Sequence, residues 1–179
     1  GAIIAEVLTN LEMHIHEARA EIVMPETWPV AYGYAAWVDI VWSNLISNAI
    51  KYGGDPDTHL PAHIELGYSI LDFSLLTEAQ GRSSSVAQPE IETLKSKIND
   101  PESKIVFWIR DNGPGLLPEE TARLFTPFTR FHQEKAEGHG LGLSIVQRII
   151  EKLGGQVGVE SAGIPGKGCT FWFTLPAGY

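Results

Sequence analysis

Cysteine occurs once in these 179 residues, at Cys169. A single thiol cannot close an internal disulfide, so the fold must stand on packing alone, and a reducing compartment is the expectation. Positive charge is scarce: 13 Lys and Arg face 22 Asp and Glu, for a net charge of -9. A nucleic-acid-binding face needs a basic patch, so that class is set aside. An anionic ligand is not excluded, because backbone N–H groups and one or two cations can hold phosphate without a basic domain. No apolar run approaches the ~20 residues of a membrane span, and no signal-peptide pattern opens the chain. Its first residues, "GAIIAEVL", read as the interior of something longer. There is no internal repeat, no G-x-x-x-x-G-K-[ST], and no strand–glycines–helix order of a dinucleotide fold.

What remains is ordinary in bulk, with 44% hydrophobic and 20% charged residues. That balance and length suit one α/β domain with a full core. "AIIAEVLTNLEMHIHEARA" spaces Ile4, Val7, Leu8, Leu11 and Ile15 as an amphipathic helix, giving an N-terminal helix within residues 1–20. "EIVM" reads as a short strand and "PETWP" as a turn. A long helix runs from Ala35 to Tyr52 and stops at Gly53-Gly54. "AHIELGYSIL" and "SKIVFWIRD" read as strands, and "PEETARLF" as a short helix with Pro and acids at its start. "LGLSIVQRIIEKL" is a helix closed by Gly154-Gly155, and "GQVGVES" with "CTFWFTLP" a closing antiparallel pair. The polar, Ser-rich stretch from Thr77 to Ser103 has no strand pattern. It is an insertion or a mobile loop, with one possible helix in "PEIETLKSKI".

Three local patterns carry chemistry. "DNGPGLLPEE" ends a strand in Asp111 and follows it with more glycine than a turn needs. On the long helix Asn44, Asn48 and Lys51 stand at i, i+4 and i+7, one face, apart from the apolar face of Val38, Trp42, Leu45 and Ala49. An Asn carbonyl oxygen suits Mg²⁺ and a lysine suits phosphate, although a solvated helix edge is the plainer reading of that stripe alone. "EGHGLGLSIV" sets Gly138, Gly140 and Gly142 ahead of a helix, where free N–H groups meet phosphate. Alone, such a glycine run is weak evidence.

In order the patterns are far more specific. "NLISNAIKYGG", "DNGPG", "LFTPFTRF", "GHGLGLSIV" and "GKGCTFWFTLP" together resemble the ATP-binding catalytic domain of sensor histidine kinases. That domain lies in the superfamily that also holds gyrase, Hsp90 and MutL ATPases. The likeness spans about Pro25 to Pro176. It implies a two-layer α/β sandwich, a mixed sheet of about five strands with three main helices on one face, and a nucleotide lid over residues 113–140. It implies ATP and Mg²⁺ as ligands. Asp111 would accept the adenine amino group, with Gly113 and Gly115 giving room and Tyr52 and Leu116 in the nucleotide pocket. Asn48 would hold Mg²⁺, Asn44 would support phosphate or metal, and Lys51 would meet the phosphates. Gly138, Gly140, Leu141, Gly142 and Leu143 would offer the glycine-box backbone to the triphosphate. Arg130 is either a γ-phosphate contact or an exposed lid charge.

The resemblance further implies phosphoryl transfer to a His on a separate dimerisation domain, and onward to a response regulator receiver domain. The location would be the cytoplasm, or the cytoplasmic part of a membrane-bound sensor. Asn44 stands where the hydrolysing branches carry a water-activating Glu, which implies transfer rather than rapid hydrolysis. Where the family has Ser or Thr near adenine, this chain has Cys169, so the resemblance makes Thr170, one further on, the candidate nucleotide contact, although adjacent strand residues face opposite ways. "HEARAE" at His16 is a poor match to the phospho-acceptor motif, lacking its Pro. An anti-sigma-factor-type serine kinase and a non-catalytic ATP-binding regulatory module are the alternatives.

Overall fold

The computed structural model describes residues 1–54, 60–71, 104–129 and 140–178. The Thr77–Ser103 stretch lies outside the described residues, as do Arg130 and Gly138. The described elements are α1 (Ala2–Asn10), α2 (Glu12–Glu17), β1 (Glu21–Val23), α3 (Ala35–Tyr52), β2 (His63–Leu71), β3 (Lys104–Asp111), α4 (Pro118–Arg123), α5 (Gly142–Lys152), β4 (Val157–Ser161) and β5 (Cys169–Pro176). The five strands form one mixed sheet in the order β1-β2-β3-β5-β4. Only β1 and β2 pair in parallel; the other neighbours are antiparallel.

Strand alternation decides the two faces. Ile105, Phe107 and Ile109 on β3 and Cys169, Phe171, Phe173 and Leu175 on β5 point into the main core. There they meet the apolar stripe of α3, from Val38 through Trp42, Leu45 and Ile46 to Ala49, and residues of α1 and α5. Each large side chain so buried contributes about 1.5–3 kcal/mol before the entropy of ordering it. Phe173 is central, with its ring centroid 5.2 Å from Trp42 and 5.3 Å from Phe107. On the opposite face Trp108 lies over Gly67 and Trp172 over Gly158, where any Cβ would strike the indole.

The expected N-terminal helix is interrupted. It divides at Leu11, although Leu11 N–H to Val7 O and Ile15 N–H to Leu11 O keep the two halves continuous, both at 3.0 Å. The Thr9 hydroxyl donates back to Ala5 O at 2.9 Å, a competition with the helical ladder that bends helices. Elsewhere the helix boundaries follow their punctuation. The α3 helix ends at Gly53, whose N–H still reaches Ala49 O, and Gly155 N–H closes α5 on Ile150 O.

Candidate functional site

The end of β3 is tied to neighbouring segments by several hydrogen bonds. Asp111 is only 7% exposed. One of its carboxylate oxygens accepts the N–H of Gly113 at 2.9 Å and of Cys169 at 3.3 Å. Burial pushes the carboxyl above its ordinary 3.8, and the two backbone N–H groups pull it back. The second oxygen has no bond among the described residues. Gly168, in the left-handed region at φ 60°, makes this packing possible: a Cβ there would lie 1.9 Å from the Asp111 carbonyl oxygen. Cys169 is buried beside the same carboxylate, and its thiol is pushed up to about 11, first by burial and then by the Asp111 charge. It stays protonated at neutral pH.

Asn112 joins this strand end to α3. Its side-chain oxygen accepts from Gly54 N–H at 2.9 Å and His63 N–H at 2.7 Å, and its amide donates to Pro61 O at 3.2 Å. Gly113 then packs on the Tyr52 carbonyl oxygen, where a Cβ would come within 2.3 Å. The carboxylate is thereby fixed next to the C-terminal end of α3.

The amides stand further back along the same helix, Asn44 near its middle and Asn48 one turn from its C-terminal end. Asn44 and Asn48 are half-buried, while Lys51 and Tyr52 are exposed. The Asn44 amide donates to Ile40 O at 2.8 Å, which leaves its oxygen toward Gly142, the first residue of α5. A Cβ at Gly142 would lie 2.5 Å from that oxygen, so only glycine brings α5 this close. The α5 N-terminus has no side-chain cap; Ser144 instead turns its hydroxyl to Leu141 O at 2.8 Å. The first residue of α5, with its uncapped first-turn N–H groups, therefore stands beside Asn44. Gly140, at the approach to α5, accepts the N–H of Phe128 at 3.0 Å, which ties "LFTPF" to the glycine loop. Asn44 and Tyr52 are separated by about 12 Å along the helix axis. A carboxylate acceptor at one end and an anion-binding helix terminus at the other suit an elongated ligand with a base and a phosphate tail.

Of the expected site residues, the structure brings Tyr52 to Gly113 and Asp111, and Asn44 to Gly142. Gly115 sits at φ 78°, one residue before buried Leu116. Thr170 is brought to neither group. It pairs with Arg110 across β3 and β5 and takes that guanidinium's N–H on its hydroxyl at 3.3 Å. Cys169 and Phe171 on either side face the core, so Thr170 faces away from the helices. Sequence reading missed Asn112, Gly168 and Ser161. Asn112 stood inside "DNGPG" as an unassigned position, whereas nothing local marks Ser161.

The family model described as "Histidine kinase-, DNA gyrase B-, and HSP90-like ATPase" matches residues 33–179. Among curated proteins, the methanogenesis regulatory histidine kinase FilI of Methanothrix harundinacea is 30% identical over 98% of this chain, which spans 16% of that relative's length. Full-length ShkA in complex with AMPPNP has a TM-score of 0.67 at 24% identity, over 98% of this chain and 29% of that one. Histidine kinase ThkA in complex with the response regulator protein TrrA has a TM-score of 0.62 at 20% identity, over 99% and 40%. These two likenesses show the fold.

Proposed function

The chain belongs to the histidine kinase-, DNA gyrase B- and HSP90-like ATPase family, and from that premise we propose that it is the ATP-binding, phosphoryl-donating domain of a two-component sensor histidine kinase. The observation that carries this reading is the buried Asp111 carboxylate, held through one oxygen near the C-terminal end of α3, with an amide-flanked helix N-terminus beside Asn44, about 12 Å back along that helix. Asp111 accepts from the exocyclic amino group of adenine, in a pocket lined by Tyr52 and Leu116. The phosphates run toward α5, where backbone N–H groups of the Gly140–Leu143 run meet their charge. Lys51 adds a point charge, and Arg130 and Gly138, outside the described residues, complete the phosphate contacts.

Mg²⁺ fits the donor set, since Asn48 offers a neutral, hard carbonyl oxygen and Asn44 stands one turn away on the same face. When bound, the ion neutralises charge on the phosphates and leaves the γ-phosphorus open to attack. The acceptor is an imidazole nitrogen of a His on a separate dimerisation domain. The new N–P bond forms as the bond from the γ-phosphorus to the bridging oxygen breaks, and ADP leaves. Asn44 has no basicity with which to activate water, so ATP is held for transfer rather than hydrolysed quickly. Onward transfer goes to an Asp carboxylate of a response regulator receiver domain, in keeping with the ThkA–TrrA complex, and the domain works in the cytoplasm.

The test is calorimetric titration of ATP, with and without Mg²⁺, on this chain and on Asp111→Ala. Binding strengthened by Mg²⁺ and weakened about 100-fold in the variant is the expected result. No binding in either condition overturns the nucleotide reading. Phosphohistidine formed on the isolated chain would overturn the assignment of the acceptor to another domain.

A further inference from the structure

Ser161 closes β4 and belongs to none of the motifs, yet its hydroxyl is fully used. The oxygen accepts Leu116 N–H at 2.8 Å and Gly163 N–H at 3.2 Å, and its proton goes to Gly168 O at 3.1 Å. One donor and two acceptor lone pairs are all that a serine side chain has. These partners lie on two separate segments, the loop that leaves β3 and the turn that joins β4 to β5. The Gly113 carbonyl adds two more links between the same segments, accepting Gly166 N–H and Gly168 N–H, both at 3.0 Å. The N–H groups that hold the Asp111 oxygen come from the same two places, Gly113 and Cys169. Ser161 thus joins the two lengths of backbone between which the carboxylate sits. It has no hydrogen bond to Asp111 itself.

We propose that Ser161 is a positioning residue for base recognition. By fixing the spacing of the two segments it gives the second Asp111 oxygen one orientation, and so sets how strongly the site prefers a purine with an exocyclic donor over one with an acceptor. This rests on the nucleotide reading above. Removing the hydroxyl leaves two N–H groups and one carbonyl without their partner, while the carboxylate, α3 and the α5 N-terminus stay in place. The effect therefore falls on base discrimination and not on the phosphate end.

The experiment titrates Mg·ATP and Mg·ITP into this chain by calorimetry; inosine carries a carbonyl oxygen where adenine carries its amino group. The unaltered chain prefers ATP. Ser161→Ala lowers that preference by about tenfold with ITP affinity unchanged, and Ser161→Thr, which keeps the hydroxyl, restores it. Thermal unfolding of each variant runs in parallel. Should Ser161→Ala fail to fold, Ser161→Cys, similar in size but a weaker hydrogen-bonding group, is judged by the same ratio. Equal losses for both nucleotides mean a merely structural role and overturn the inference, as does an unchanged ratio. An unaltered chain that binds both nucleotides equally also overturns it while leaving the nucleotide reading intact. An unaltered chain that binds neither is failure of that reading itself, and the inference falls with it.

Discussion

The Asp111 strand end and the amide stripe of α3 are built in opposite ways. At the Asp111 end, the carboxylate is buried, and Asn112, Gly113, Ser161, Gly168 and Cys169 lock the backbone around it. Along the amide stripe, Asn44 is turned back on its own helix, Asn48 is half-buried, and Lys51, next to Tyr52, is exposed. The first is held by hydrogen bonds within the chain itself, and its polar groups are desolvated when the protein folds. The second leaves its polar groups near water until charge arrives to satisfy them. Shape-selective recognition needs a fixed acceptor, because discrimination depends on leaving the wrong partner unpaired. Phosphate and metal contacts depend on charge and tolerate adjustment.

Five substitutions would break or sharpen this contrast. The largest is in the rigid end. Gly168→Ala forces a left-handed φ on a side chain and drives its Cβ onto the Asp111 carbonyl, for a loss of about 3 kcal/mol in denaturant unfolding. Gly166→Ala shares the left-handed φ, at 80°, but has nothing within 4 Å. It is expected to lose only about 1 kcal/mol. Equal losses would mean that close packing on Asp111 is not what makes position 168 special.

Next in size is Asn48→Ala, in the adjustable stripe. ATP affinity in Mg²⁺ falls about tenfold, to the level seen without the ion, while unfolding free energy barely moves. A large drop in stability would show that the stripe is as preformed as the strand end.

A smaller effect is in pH. The buried Asp111 carboxyl titrates above its ordinary 3.8. The folded state therefore binds the proton more tightly than the unfolded chain does. Its contribution to stability is greatest below 3.8 and falls as pH rises through the raised value. Asp111→Asn removes this fall, measured as unfolding free energy against pH. ATP binding moves the other way and strengthens over the same window, because the acceptor must be ionised.

The smallest effect is at a solvent-exposed pair across β1 and β2, beside Asn112. His63 lies 3.1 Å from Glu21 and 3.4 Å from Glu65, and its pKa is raised above 6.5, chiefly by the hydrogen bond to Glu21. The stabilisation is complete below 6.5 and is lost as pH rises through the folded value. The pair is solvent-exposed, so a thermal-unfolding comparison of His63→Gln with the parent at pH 5.5 and 8 should show only a slight difference, larger at the lower pH.

Much of this was legible without coordinates. The Ala35–Tyr52 helix declared itself because its apolar stripe repeats at helical spacing and ends in two glycines. "KIVFWIRD" declared itself as a strand that stops at a carboxylate. The amides, the lysine and Gly142 were legible as chemistry because each motif is a few residues long and keeps its spacing within one element. The break at Leu11 was not, since apolar periodicity says nothing of a hydroxyl that bonds back into the helix.

What the sequence by itself determined is therefore most of the elements, the faces of α3, and the residue types proposed for base, phosphate and metal. What only the tertiary structure decided is which groups hold Asp111 in place and which way Cys169 and Thr170 face. Those answers depend on strand register and on contacts between segments far apart in the chain. Ser161 reaches Leu116 across 45 positions, and Cys169 reaches Asp111 across 58. A hydroxyl's partners at such separation leave no periodicity, because they are set by how the sheet closes and not by the residues on either side.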